Sequence, residues 1–332
     1  MEATATAGAN IAIVKYWGAR NLAQRLPTND SISLTLDTAT TTTTVRFEAD
    51  LKEDVVMLQG KEASESARAR VIAHLDRMRT LADISLRAHV ESSNTFPIGA
   101  GVASSASGFA ALSAAGKAAL GLKLSQRGMS TLARLGSGSA CRSMVGGWVH
   151  WVQGTCHEDS YAKQIAPPEH WDVRDVIAIV TDQEKPVSST EGHRRALTSP
   201  MFPARLARVK SIVPRVRDAI HGRDFRTLGT QAEAEALSMH AVMLTSAPPL
   251  LYWLPATVEL MQAVWAWRAE GVPCYFTLDA GPNVHILTLP ETVEEVEGRL
   301  RALPCVQRIL VCGPGPAPRV HERKEVSGEL EA

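Results

Sequence analysis

The chain has 332 residues, 45% of them hydrophobic, with 35 Lys and Arg balancing 35 Asp and Glu. This composition excludes a disordered chain and any global field that would draw in nucleic acid or an anionic membrane, so anion recognition has to be local. Zero net charge favours self-association, and a homodimer is expected. Cys141, Cys156, Cys274, Cys305 and Cys312 are scattered without CxxC spacing, so neither a disulfide framework nor a zinc site is indicated. With no basic leader and no apolar span of about 20 residues, a reducing, cytoplasmic setting is expected.

In chain order, the first 60 residues predict strands. "NIAIVKYW", "SISLTLD" and "TTTTVRFEA" are β-branched and partly alternating, with Pro27, Asn29 and Asp30 between them as turn formers. Residues 63–82 place Ala67, Val71, Leu75, Met78 and Leu81 at helical spacing. "ISLRAHVES" alternates as a strand. A Gly/Ser loop and an Ala-rich helix ending near Gly121 follow, then a helix opened by the N-cap Ser125. "VRDVIAIVTD" predicts a buried strand. Helices over 203–221 and 224–241 and another in "ATVELMQAVWAWRAEG" come next. The end predicts strand "PCYFTLDA", strand "VHILT", a helix over 291–302 and strand "QRILVCG". "GPGPAP" and the charged tail after it are expected to fray. Strand runs and helix pairs without regular βαβ alternation give an α+β class. Two lobes are expected, 1–185 and 186–318, with 319–332 a flexible tail.

The strongest local signal is "PIGAGVASSASG", residues 97–108. Gly99 and Gly101 allow close backbone approach, and Ser104, Ser105 and Ser107 supply hydroxyls. The helix that follows turns its free N–H groups and positive dipole end to the loop. Such a loop either cradles phosphate or is a serine-capped connector. It is neither a Walker loop nor a Rossmann fingerprint, and composition does not decide between the two readings.

"NTFPIGAGVASSASGFAAL" resembles the phosphate loop of the GHMP kinase superfamily. More narrowly, "KYWG", "ASSASGFAAL", "GSGSACRS", "VSSTEG" and "DAGPN" together resemble the mevalonate-diphosphate decarboxylases, in that family's order, over residues 3–288. The resemblance implies a GHMP-type fold of two lobes around a deep cleft, with ATP and magnesium as cofactors.

It also implies roles. Asp279 becomes the catalytic carboxylate, set against the turn-forming Asp that its sequence context otherwise suggests. Lys15 lies near the reacting groups, with Tyr16 beside it. Arg142 captures the substrate carboxylate, as a planar guanidinium suits, with Ser137 and Ser139 orienting the substrate. Ser188, Ser189 and Lys185 approach the substrate's anionic end, a plain N-cap being the competing reading for the serines. Ser104, Ser105 and Ser107 face ATP phosphates, Ser105 being a candidate magnesium ligand, and Ser92, Ser93 and Asn94 are candidates for the base. Ala19 stands where the family motif, "KYWGK", carries a second lysine. That substitution points to (R)-5-phosphomevalonate rather than the diphosphate as substrate. The alternatives are a diphosphomevalonate decarboxylase, a mevalonate 3-kinase that stops after phosphorylation, and a non-catalytic binding protein. The basic segment "GHRRALTSPMFPARLARVKSIVPRVRDAIHGRDFR" is expected to be a solvated helix face, since its arginines interleave with apolar residues at helical spacing.

Overall fold

The structure, a computed structural model, describes residues 1–96, 104–183, 185 and 187–321. In the first lobe, β1 (Glu2–Val14), β2 (Ala19–Asn21), β3 (Leu26–Pro27), β4 (Ser31–Glu48), β5 (Val55–Leu58), β6 (Lys61–Glu62), β7 (Arg87–Asn94), β8 (Trp148–Trp151) and β9 (Ala162–Ala166) accompany α1 (Glu65–Ala82), α2 (Ser104–Ala119), α3 (Gln126–Gly136) and α4 (Ala140–Ser143). The second lobe holds β10 (Arg174–Ile179), β11 (Cys274–Thr277), β12 (Val284–Thr288) and β13 (Arg308–Cys312). Its helices are α5 (Ser189–Ala196), α6 (Phe202–Gly222), α7 (Phe225–Leu244), α8 (Pro255–Ala269) and α9 (Val293–Arg301). A last strand, β14 (Arg319–His321), returns to β1.

The first sheet, eight strands among the described residues, runs β14-β1-β4-β7-β5-β6, with β8 bridging β4 and β9. Its long strand β4 absorbs two of the expected strands and the threonine run. Ser31 to Leu34 pair with β8, and Thr41 to Glu48 pair with β7. Alternation accounts for the run: Thr41 and Thr43 are buried, while Thr42 and Thr44 bond across to Thr6 and Thr4 at 2.8 Å. α2 lies on β1 and β4, and its Ala106, Ala110, Ala111, Ala114 and Ala115 are small enough to bring helix and sheet close. α1 starts at Ser64, whose hydroxyl accepts the Ala67 N–H. Its Val71, Leu75 and Met78 are buried, but Leu81, expected on the same face, is 54% exposed. Ser125 caps α3 as expected, accepting the Gly128 N–H.

The second sheet is antiparallel, β11-β12-β10-β13. The boundary expected at 185 therefore falls on the wrong side of β10, which pairs with β12 and β13. A shared core joins the lobes: Ile11, Ile13, Ile32 and Leu34 of the first pack with Ile177, Val209 and Val216 of the second. "GPGPAP" is stitched down rather than frayed. Gly313 N–H donates to Asp37 Oδ1 at 2.7 Å and Gly315 N–H to the Thr35 carbonyl at 2.7 Å. Arg319 to His321, expected in the flexible tail, pair with Ala5 and its neighbours in β1. The five cysteines are free, with Cys141, Cys274 and Cys312 buried, Cys305 half-buried and Cys156 exposed. Among the described residues no helix is long and apolar enough to cross a membrane.

Candidate active site

The end of β1, the α3–α4 junction, the start of α5 and the loop after β11 meet around a cavity of about 580 Å³. Lys15 and Asp279 come together there, Nζ to Oδ1 at 2.8 Å, although 264 residues separate them. The Lys15 side chain is 1% exposed and that of Asp279 23%, so the carboxylate faces the cavity while the ammonium is sunk behind it. Burial pulls the Asp279 carboxyl upward. The charge and hydrogen bond of Lys15, supported by His285 and Arg142, outweigh burial and hold it below the usual carboxylate range. Burial lowers the Lys15 ammonium, with Asp279 opposing. The loop bearing Asp279 is rigid: His240 Nε2 donates to the Asp279 carbonyl at 3.1 Å, Thr257 donates to the Pro282 carbonyl, and Asn283 Oδ1 accepts the Val180 N–H at 2.7 Å.

Arg142, in the one-turn helix α4, also lines the cavity and is 2% exposed. Its Nε donates to Asn10 Oδ1 and its Nη1 to Ser31 Oγ, both at 3.0 Å. Its Nη2 has no hydrogen-bond partner among the described residues. A guanidinium held at two nitrogens and open at the third is set to receive a carboxylate. Ser137 and Ser139 line the same wall. Gly138 between them is needed for close packing: a Cβ there would lie 2.6 Å from the Tyr16 ring. Tyr16 stacks at 4.1 Å on His193 and edge-on at 4.6 Å to Trp151, and burial pushes its hydroxyl pKa up.

Lys185, Ser188 and Ser189 reach the cavity from the second lobe. Ser188 is the N-cap of α5, accepting the Glu191 N–H at 3.3 Å, so the capping reading holds for its hydroxyl. Lys185 Nζ donates to Ser189 Oγ and the Ala280 carbonyl, both at 2.7 Å. Burial pushes Lys185 down to about 8, with Asp279 pulling it back up. Ala19 does not line the cavity. It is 4% exposed in β2, paired with Pro27, and the exposed Arg20 turns away to donate to the Gln153 carbonyl at 3.2 Å.

Ser104 and Ser105 open α2 and line both this cavity and an adjoining, more apolar one of about 160 Å³. Ser105 Oγ lies 3.0 Å from Ser137 Oγ, so the loop serine meets the substrate wall. The smaller cavity holds Ser92 and Asn94 with Leu58, Val71, Val90, Phe109 and Leu112, an apolar slot edged by polar groups that suits a planar base. Ser93, the third base candidate, is exposed and outside that lining. Ser107 is a correction. It is fully buried against β4, its hydroxyl 2.6 Å from Thr41 Oγ1, and cannot reach a ligand in either cavity. Gly99 and Gly101 lie outside the described residues.

Residues 7–162 match the family model described as diphosphomevalonate decarboxylase-like N-terminal domain, and residues 175–318 match the mevalonate 5-diphosphate decarboxylase C-terminal domain. The diphosphomevalonate decarboxylase of Ganoderma lucidum is 38% identical over 89% of this chain and 80% of its own length. The phosphomevalonate decarboxylase of Haloferax volcanii is also 38% identical, over 90% of this chain and 91% of its own. The chain belongs to the diphosphomevalonate decarboxylase family. It is thus an ATP-dependent carboxy-lyase of the GHMP superfamily. The family fold is matched closely by a solved complex with MVAPP, AMPPCP and magnesium (TM-score 0.92, 40% identity, 97% of this chain and 99% of that one). It is matched equally by the mevalonate diphosphate decarboxylase of Staphylococcus aureus (TM-score 0.92, 35% identity, 97% and 98%).

Several residues of this decarboxylase site escape a reading of the sequence. Asn10 holds three parts of the carboxylate clamp, accepting from Arg142 and donating to Ser143 Oγ at 2.8 Å and the Ser139 carbonyl at 3.2 Å. Glu235 and Arg205 form a buried ion pair at 3.1 Å directly behind Lys15. The Lys15 N–H donates to Glu235 Oε2, and its carbonyl accepts from Arg205 Nη2. Arg205 corrects the reading of its segment as a solvated face, since it is 2% exposed. Arg70, Arg25 and His193 also line the cleft.

Proposed function

We propose that this chain decarboxylates (R)-5-phosphomevalonate, with ATP, to isopentenyl phosphate, CO2, ADP and phosphate. The observation that carries the choice of substrate is the segment after Lys15: Ala19, at the position where the family motif carries a lysine, brings no charge, and Arg20 beside it turns away to Gln153. Alanine at that position removes one charge-assisted contact to a second phosphate group, of the kind worth about 1.5–3 kcal/mol.

The chemistry follows from the arrangement. Arg142 Nη2 takes the substrate carboxylate, with Ser139 and Ser137 beside it, and Asp279 accepts a hydrogen bond from the tertiary 3-hydroxyl. That oxygen bonds to the γ-phosphorus of ATP as the bond to ADP breaks, and the hydroxyl proton passes to an oxygen of the transferred phosphoryl group. The new phosphate then leaves with the C–O electron pair. The electrons of the C–CO2 bond close the alkene, and CO2 departs. Lys15 keeps Asp279 ionised, which makes Asp279 a poor resting place for the hydroxyl proton but a good orienting acceptor. Its fixed negative charge also opposes the positive charge that builds at the tertiary carbon. Lys185 and the α5 N-terminus, with Ser188 and Ser189, face the phosphorylated end. Ser104 and Ser105, at the start of α2, face the ATP phosphates, and Ser92 and Asn94 the base.

Magnesium supplies charge neutralisation on the transferred phosphoryl group. The Ser105 hydroxyl and phosphate oxygens match its preference for hard oxygen ligands. Among the described residues no cluster of His, Cys, Asp and Glu builds a separate metal site.

The test is a side-by-side assay of the mono- and diphosphate with ATP and magnesium, following ADP and CO2 together. Isopentenyl phosphate formed with the higher kcat/KM is expected. ADP without CO2 identifies a 3-kinase instead, and a higher kcat/KM with the diphosphate defeats the substrate assignment.

A further inference from the structure

Arg25, in the turn between β2 and β3, is unusual in both backbone and side chain. It adopts φ +50°, with its N–H on the Leu22 carbonyl at 3.3 Å. This left-handed conformation suits glycine, then Asn or Asp, and disfavours a long side chain. An arginine kept in such a conformation points to a role for the side chain. That side chain lines the cleft, and its Nε is anchored on the Leu135 carbonyl at 3.0 Å. Among the described residues no carboxylate is within ion-pair distance, and neither Nη has a hydrogen-bond partner. Its charge acts on Tyr16 and on His193.

His193 completes the wall. Its Nδ1 accepts the Gly18 N–H at 3.0 Å. A backbone N–H can only donate, so the neutral ring carries its proton on Nε2. Nε2 has no partner among the described residues, and the ring lies 4.1 Å from Tyr16 on the lining of the cleft. Burial, together with the cations around it, pushes His193 down to about 3, so it offers a directed N–H without charge. Of the other cations acting on His193, Lys185 is already bonded to Ser189 and Ala280, Arg142 to Asn10 and Ser31, and Arg205 to Glu235. Arg70, anchored on the next carbonyl at Gly136, borders the apolar slot beside Ser104 and so belongs to the nucleotide side.

We propose that Arg25 receives the phosphate of the monophosphorylated substrate, flanked by the Tyr16 hydroxyl and His193 Nε2–H as neutral donors, and so sets the preference for one phosphate group over two. The inference rests on the substrate reading above. One open guanidinium fork matches one phosphate group. Of the other cations that line the cleft, Lys15 is paired with Asp279, Arg142 is held by Asn10 and Ser31, Arg70 by the Gly136 carbonyl and Lys185 by Ser189 and Ala280, while Ala19, outside the lining, adds none.

The experiment compares full-length wild type with Arg25→Gln and Arg25→Gly, using ATP, 5-phosphomevalonate and its diphosphate. Glycine adopts φ +50° freely, so Arg25→Gly is expected to keep a thermal midpoint at or above wild type. In both variants KM for the monophosphate should rise about 10- to 100-fold, as loss of a charge-assisted contact implies. Both kcat and KM for ATP should stay within about threefold, and the mono-to-diphosphate ratio of kcat/KM should fall. A wild-type preference for the monophosphate that survives Arg25→Gly overturns this inference alone, as does a rise confined to KM for ATP. Wild-type preference for the diphosphate, or turnover of neither, overturns the substrate reading and this inference together.

Discussion

Asn10 is not among the residues that line the main cavity, yet the proposed mechanism makes activity depend on it. Its amide oxygen holds Arg142 Nε at 3.0 Å, and its amide nitrogen ties Ser143 Oγ and the Ser139 carbonyl to the same point. Asn10→Ala removes one of the two hydrogen bonds that fix a guanidinium 2% exposed to solvent. A hydrogen bond to a charged group contributes about 1.5–3 kcal/mol, and a buried donor left without a partner adds a desolvation penalty of similar size. Part of that loss will fall on stability, because Ser143 is fully buried. The part that falls on function is the freedom Arg142 gains to turn about its remaining bond to Ser31. A clamp that wanders by about 1 Å costs roughly 100-fold in a positioned reaction.

We therefore expect kcat/KM for the phosphorylated mevalonate to fall about 10- to 100-fold. In the proposed mechanism Arg142 serves the carboxylate rather than the phosphoryl transfer, so release of CO2 should fall further than release of ADP. The assay is paired single-turnover measurement of both products, with nucleotide binding as the control for folding. A well-folded Asn10→Ala protein with unchanged kcat/KM would refute the assignment of Asn10 as the residue that positions Arg142. An equal loss of both products would refute the separation of carboxylate capture from phosphoryl transfer.

Two further outcomes follow from the same network. Glu235→Gln keeps the shape of the side chain but leaves Arg205, whose side chain is 1% exposed, without its counter-charge. Breaking a buried pair on one side costs about 3–5 kcal/mol, and a fall of about 5–10 °C in Tm, read by calorimetry, is expected; no fall would show that the pair is not a structural brace. Lys185, pushed down to about 8 by burial, is a cation below that pH and neutral above it, so kcat/KM should fall as pH rises through about 8. Lys185→Arg, which stays charged, should extend the plateau upward. Unfolding does not explain such a fall: with its folded value below the unfolded 10.5, Lys185 binds more protons unfolded, and its titration raises stability across that window.

What was legible in the sequence was whatever local periodicity or a contiguous motif controls. Ser125 caps the helix it precedes, and the threonine run alternates as a strand because every second residue faces the core. Lys15, Arg142 and Asp279 stand within motifs, and the fold brings all three to one cavity. Ser107 is misassigned to the ATP phosphates although the signal against that reading is present in the sequence. Residues 107, 110, 111 and 114 share the helix face that α2 turns to the sheet, so hydroxyl content was misleading where helical phase was decisive. Arg205 is similar: 205, 209, 212 and 216 form one stripe, and the arginine is buried with Val209, Ile212 and Val216. Its partner Glu235 could not be read at all, because the pairing depends on how α6 crosses α7. Nor could the φ of Arg25, since the one turn former before it in "NLAQRLP", Asn21, sits at the start of the turn, where it accepts the Gln24 N–H, and the left-handed position itself holds an arginine rather than glycine or asparagine.

The neutral balance of the whole chain hides the electrostatic fact on which catalysis depends. Among the described residues lining the main cavity, Lys15, Arg25, Arg70, Arg142 and Lys185 face a single carboxylate, Asp279. These cations press on one another. Burial first, and then the charge of Arg25, holds Arg70 below the ordinary guanidinium value, Arg142 adds to the burial that lowers Lys15, and burial lowers Arg25 and Arg142. Such a cleft is under strain until an anion enters it. A phosphate, a carboxylate and a nucleotide each relieve part of the repulsion, which is how a protein of zero net charge can gather two polyanions into one site. Asp279 is the exception the reaction requires. In the proposed mechanism, the one negative group among the described residues lining the cavity faces the carbon that becomes cationic, and Lys15, sunk behind it, keeps it ionised until the positive charge appears in front.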